Sequence, residues 1–212
     1  MEEVYDLLAK GGWLMVPILF CSVVVLAVLI ERLWFLRRER VLPTGLLDKV
    51  RELIASSRLN EAQSLCEGND SSLGAVLSAG LGQAGKPREV IGEALQEAGR
   101  LEAAALERFV GVVGTIAAIA PLLGLLGTVT GMIKIFQRVT TEGVGDPRML
   151  AGGIWEALIT TAAGLTVAIP AYVAYRYLLS RADALVLEIE NGATTVLRGI
   201  TEVPAAGNDE EA

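Results

Sequence analysis

The 212-residue chain has no histidine and only two cysteines. Without imidazole there is no Ser-His-Asp or Cys-His triad, no His metal site and no His proton relay. Cys21 falls in a long apolar run and Cys66 in a polar segment, so neither a disulfide framework nor a cysteine zinc site has support. Basic residues are outnumbered, 18 Lys and Arg against 25 Asp and Glu. With a net charge of −7 and no basic arm, a nucleic-acid partner has no electrostatic basis. Period-two alternation and internal repeats are missing as well, which argues against a sheet. These lacks leave no catalytic constellation, no metal site and no call for a cofactor. The chain reads as something other than an enzyme.

What is present is apolar length. The chain is 52% hydrophobic with a mean hydropathy of +0.50. Residues 11–30 (GGWLMVPILFCSVVVLAVLI) and 109–133 (FVGVVGTIAAIAPLLGLLGTVTGMI) contain no Asp, Glu, Lys or Arg, and residues 149–175 contain only Glu156. At about 1.5 Å per helical residue, each run crosses a hydrocarbon core of about 30 Å. Three spans are predicted: 11–30, 109–139 and 149–179, the latter two continuing as helices beyond the bilayer. A cleaved signal peptide fits the first run poorly, because the leader MEEVYDLLAK is acidic and Glu31-Arg32 rather than small residues follow. Arg32, Arg37, Arg38, Arg40, Lys49 and Arg51 follow that span, against Lys10 before it. The positive-inside rule then assigns residues 1–10 to the outside, 31–108 to the cytoplasm, 140–148 to an outer loop and 180–212 to the cytoplasm. Trp13, Trp34, Trp155, Tyr172, Tyr175 and Tyr177 lie near span ends, as interfacial aromatics do.

The cytoplasmic segment is predicted helical. Leu46, Val50, Leu53, Ile54 and Leu65 recur on one side. The turn-rich EGNDSS (67–72) and GQAGKP (82–87) break the pattern. A second amphipathic stretch follows, with Ile91, Ala94, Leu95, Ala98, Leu101, Ala105 and Phe109 on one side, and it is predicted to run unbroken into the second span. The third span is predicted to continue through SRADALVLEIENGATTVLRG, and the acidic tail PAAGNDEEA to be disordered. GLGQAGKP (80–87) approaches a phosphate-binding loop, but Pro87 replaces the magnesium-binding hydroxyl and no strand precedes it. A turn with Pro87 opening the next helix accounts for it better. Asn69-Asp70-Ser71 is a glycosylation acceptor in form only, given its cytoplasmic side.

Polar chemistry is confined to two spans. In APLLGLLGTVTGMI (120–133), Gly127 and Gly131 make a small-xxx-small pair, and Gly124, Thr128 and Gly131 share a face. In GIWEALITTAAGLTVAIPAYVAY (153–175), Thr161 shares a small face with Ala157, Gly164 and Ala168, while Thr160 falls on the neighbouring face with Ala163. Pro121 and Pro170 each free a carbonyl. Glu156, in the first turns of the third span, is costly in lipid and is expected to face a bundle interior or water. A threonine in a membrane helix more often bonds back to its own backbone than lines a path. Thr, Gly and Pro together in two spans favour a polar path between helices. Hydroxyls do not titrate near neutral pH, so a proton path needs a titratable group from another chain.

APLLGLLGTVTGMI followed by EALITTAAGLTVAIPA resembles the paired signature of the MotA/TolQ/ExbB proton-channel family, and ERLWFLRR after the first span and the large cytoplasmic region resemble its ExbB and TolQ branches. The resemblance runs over residues 10–200; the MotA branch, with four spans, fits less well, and between ExbB and TolQ, a choice the sequence leaves open, it leans to ExbB. It implies an all-α pentamer in the bacterial inner membrane, enclosing the single membrane helices of an ExbD- or TolR-like partner whose aspartate carries the proton. Thr128 and Thr161, with Thr160 as an alternative, would line the pore, and Glu156 would be the functional carboxylate. Proton flow would drive a motor that energises TonB-dependent uptake, or, on the TolQ pattern, acts through a TolA-like protein on envelope integrity. A scaffold whose glycines serve assembly alone is the competing class. The two separate by mutation: Thr128→Ala or Thr161→Ala should abolish energised uptake with the oligomer intact in native mass spectrometry. A scaffold would tolerate both and fail with Gly127→Leu or Gly131→Leu.

Overall fold

The computed structural model describes residues 12–143 and 147–202. The expected outer N-terminus, the centre of the 140–148 loop and the acidic tail lie outside them. The described residues form eight helices and no strand: α1 Met15–Phe35, α2 Arg38–Val41, α3 Leu46–Ala55, α4 Leu59–Glu67, α5 Ser72–Leu81, α6 Arg88–Glu107, α7 Val110–Glu142 and α8 Pro147–Glu202. Three helical stretches are long and apolar enough to cross a membrane, Met15–Phe35, Arg88–Thr141 and Leu150–Thr201.

The chain divides into two compact units, one from residues 1–32 and 109–177, the other from 33–108 and 178–212. The first holds the three apolar runs. Its interior mixes large side chains such as Met15, Ile18 and Ile116 with small ones: Val113, Ala117 and Ala171 form a cluster against which Val25 and Val28 of α1 and Ala174 and Tyr175 of α8 pack. A Cβ on Gly114 would lie 2.9 Å from the Tyr175 ring, so the absent side chain admits the aromatic. The outward surface is apolar, with Phe20, Val23 and Leu26 of α1 and Leu122, Val129 and Phe136 of α7 exposed. Such a surface on a chain with three spanning helices is what a bilayer or another membrane helix covers.

The second unit is a helical assembly with an ordinary aliphatic core, including Val50, Ile54, Val76, Leu77, Ile91, Leu95, Leu185 and Val196. Its glycines sit at helix contacts: Leu95 closes on Gly80, Leu73 on Gly192 and Ile54 on Gly199. The EGNDSS turn is capped as its composition dictates. Asn69 Oδ1 accepts from the Ser71 amide at 3.1 Å, and Ser71 Oγ accepts from the Gly74 amide at 3.1 Å, opening α5. Pro87 is the N-cap of α6, after Gly85 at φ +85°.

Two expectations are corrected. Residues 46–66 are two helices, because Ser57 takes φ +56° and ends α3. The Arg58 amide donates to the Leu53 carbonyl and the Ser57 amide to Ile54, the Schellman pattern with serine where glycine is usual. The predicted continuity of the second amphipathic stretch with the second span also fails: α6 stops at Glu107, and Phe109 turns to φ +63° before α7. A left-handed non-glycine residue costs on the order of 1 kcal/mol or more. Within the first unit, the Arg32 guanidinium lies 5.7 Å from the Phe109 ring, a cation–π contact that fixes the aromatic there. No glycine or proline marks either break. The third span does continue into its amphipathic segment without interruption.

Cys66 is 1% exposed, and burial, aided by Glu67, pushes its thiol up to about 11. The unfolded thiol titrates near 9.0, so the folded chain holds the proton more tightly. Stability is therefore undiminished below pH 9.0 and falls as pH climbs towards 11. In a Cys21→Ala background, alkylation of Cys66 by iodoacetamide at pH 8 should run on the order of 100-fold slower than in the urea-unfolded chain.

Candidate functional site

Helices α7 and α8 meet along a seam of missing side chains. A Cβ on Gly124 would lie 2.9 Å from the Thr161 Cα, and one on Gly164 would lie 2.5 Å from the Ala120 carbonyl oxygen. Further along, a Cβ on Gly127 would meet the Thr160 Cβ at 2.6 Å, and one on Gly131 the Ala157 Cβ at 3.0 Å. The contacts run in antiparallel order, 124 with 161 and 164, 127 with 160, 131 with 157. Within lipid there is no hydrophobic force to press helices together, so close backbone approach and interhelical hydrogen bonds hold them.

The hydroxyls divide by how the seam receives them. Thr161 Oγ1 donates across to the Gly124 carbonyl at 2.9 Å. Thr160 is 2% exposed, its methyl against Gly127, and its hydroxyl donates to the Glu156 carbonyl of its own helix at 3.0 Å. Thr128 is half-buried and donates to the Leu125 carbonyl at 2.7 Å, within α7. The seam thus gathers Gly124, Gly127, Gly131, Thr160, Thr161 and Gly164, while the Thr128 hydroxyl turns back to its own backbone. α7 runs through Pro121 and α8 through Pro170; Pro121 is half-buried and Pro170 exposed. Each lacks the amide that would bond the carbonyl four residues earlier, Ala117 and Thr166.

Glu156 is half-buried at one end of the seam. Its Oε1 comes within 2.8 Å of where a Cβ on Gly12 would stand, and Gly12 has φ +67°. Two contacts escaped the sequence reading. Gly153 receives the Ile135 side chain, and the Gly153–Ala157 spacing is a small-xxx-small signal that would have found it. Arg32 is 3% exposed and paired with Glu31, yet as the charge that closes an apolar run it reads as solvated. Among the described residues, no cluster of three or more Cys, Asp or Glu side chains is arranged to hold a metal.

The sequence matches the MotA/TolQ/ExbB proton channel family over residues 68–191, which takes in the whole seam. The chain belongs to that family. Among similar proteins, the biopolymer transport protein ExbB-like 1 of Synechocystis is 36% identical over 183 residues, 82% of this chain and 70% of that one. ExbB-like 3 of the same organism is 30% identical over 199 residues, 92% of this chain and 95% of the relative. The Tol-Pal system protein TolQ of Haemophilus influenzae is 42% identical over 84 residues, 40% of this chain and 37% of its own. Family membership and three apolar helices together make this a multi-pass membrane protein, in a family of proton channels rather than of enzymes.

The seam makes a graded prediction. Gly124→Ala and Gly164→Ala meet backbone atoms and should each cost about 1–3 kcal/mol, by overpacking that cannot relax. Thr161→Val, which loses one interhelical hydrogen bond, should cost only about 0.6 kcal/mol. Thermal unfolding of the purified chain in detergent would rank them; Thr161→Val matching the glycine variants would contradict the order.

Proposed function

We propose that the chain is an ExbB-like subunit of a motor driven by the proton-motive force in the bacterial inner membrane. Its N-terminus is periplasmic, residues 31–108 and the C-terminal helix are cytoplasmic, and five copies enclose the single membrane helices of an ExbD-like partner. The observation that carries this reading is the seam itself. In a chain of the proton-channel family, it offers threonine hydroxyls and one carboxylate, Glu156, in otherwise uncharged runs. Thr128, Thr160 and Thr161 then line or border the proton path, Glu156 is its carboxylate, and Pro121, Gly124, Gly127, Gly131, Gly164 and Pro170 set helix approach and bending.

The chemistry follows from what the threonines lack. A hydroxyl both donates and accepts but does not titrate near neutral pH, so the carrier is a membrane aspartate on the partner. The ionised and protonated aspartate would make different hydrogen bonds with such a lining, which gives the two states different preferred positions. One charge crossing about 100 mV releases about 2.3 kcal/mol, enough to repack a helix contact over a few steps. Coupled through a TonB-like protein, that work energises uptake across the outer membrane. The TolQ likeness supports a second reading, the same motor acting through a TolA-like protein on the envelope.

Proton flux into liposomes tests this directly. Flux is expected when the chain is co-reconstituted with a single-span partner bearing a membrane aspartate, and it should fall at least tenfold with Thr161→Ala. Flux from the chain alone would instead indicate an independent channel, and an assembled complex without flux, with or without the partner, a scaffold.

A further inference from the structure

Three elements of the first unit meet at one narrow crevice: the turn before α1 with Gly12, Trp13 and Leu14, the α7 face with Thr130 and Lys134, and Glu156 of α8. Lys134 is the only lysine between residues 87 and 212, and it lies in the second span. Its place beside Glu156 follows from the register of the seam. Gly131 packs on Ala157 and Gly153 receives Ile135. The α7 residues on either side of Lys134 thus contact the α8 residues on either side of Glu156. The carboxylate is half-buried and the lysine exposed. The α1 turn closes in so tightly that a side chain at Gly12 would strike the carboxylate oxygen.

We propose that Lys134 is a positioning residue for Glu156, supplying the positive charge that holds this carboxylate in the crevice at the end of the α7–α8 seam. A carboxylate within an apolar run is costly unless an opposite charge or water accompanies it. The long lysine stem lets its ammonium reach across the crevice while its methylenes stay against apolar surface. Glycine at position 12 keeps the third side open to backbone alone. The role in ion movement rests on the function proposed above; the charge pairing rests instead on the crevice that the two side chains share.

The experiment therefore has separate arms, all on the full chain. Treatment of membranes with a carbodiimide activates Glu156, and attack by the Lys134 amine forms an amide as the carbodiimide leaves as its urea. Peptide mass spectrometry should find this Lys134–Glu156 cross-link, one water lighter than the two peptides. Capture of Glu156 by added glycine ethyl ester without any cross-link would overturn the pairing. In detergent, Lys134→Glu and Glu156→Lys should each lower the thermal midpoint and the double exchange should restore most of the loss; a double variant no better than the worse single would count against it. In liposomes with the partner, Lys134→Met should reduce flux at least tenfold while Lys134→Arg keeps at least half. A cross-linked pair with full flux in Lys134→Met would defeat the positioning role. Absent flux in the unaltered complex would defeat the motor reading instead, leaving the first two arms to judge the pair.

Discussion

The close approach of α7 and α8 is the constraint on which the membrane unit depends. At Gly124 and Gly164 backbone atoms of one helix stand where the other would carry a side chain, and at Gly127, Gly131 and Gly153 the missing side chain admits Thr160, Ala157 and Ile135. In water the burial of apolar area would supply the force. In hydrocarbon it does not, because the lipid is as apolar as the side chains it would replace. Dispersion at short range and the hydrogen bond from Thr161 to the Gly124 carbonyl are what remain. Both demand near-contact backbones, and so both demand the glycines.

That constraint decides how the polar side chains behave. A hydroxyl in lipid must find an acceptor, and a helix offers its own carbonyl one turn back. Thr128 and Thr160 take that option. Thr161 instead donates across the seam to the Gly124 carbonyl, which the close approach at Gly124 brings within reach. Two adjacent threonines with one chemistry are thereby given different duties, one filling space and one linking helices. Glu156 is treated in the same way, since the carboxylate can sit in the apolar run only because glycine at position 12 and the gap beside Lys134 leave it space.

The second unit obeys water's rules. Helices α2 to α5 are short, Ser71 caps α5, and the core is made of branched aliphatic side chains with a buried thiol at Cys66. Where water is present, large apolar side chains are the means of association. Where it is absent, small ones are.

The sequence by itself determined what solvent and period dictate. Three apolar runs, the amphipathic face of Ile91 and Leu95, the break at residues 67–72 and the turn before Pro87 follow from local composition, and the paired motifs around Gly127 and Thr161 reveal the family. Tertiary structure decided what depends on a partner surface. Serine at position 57 and phenylalanine at position 109 end helices without any breaker residue. Arg32 is buried, paired with Glu31 and lying against Phe109, and Thr161 makes the hydrogen bond across the seam while Thr160 only packs there. Lys134 and Glu156 come to one crevice from separate helices. In each case the deciding energy comes from a group distant in the chain, and periodicity, which compares a residue only with its own turn, carries no record of it.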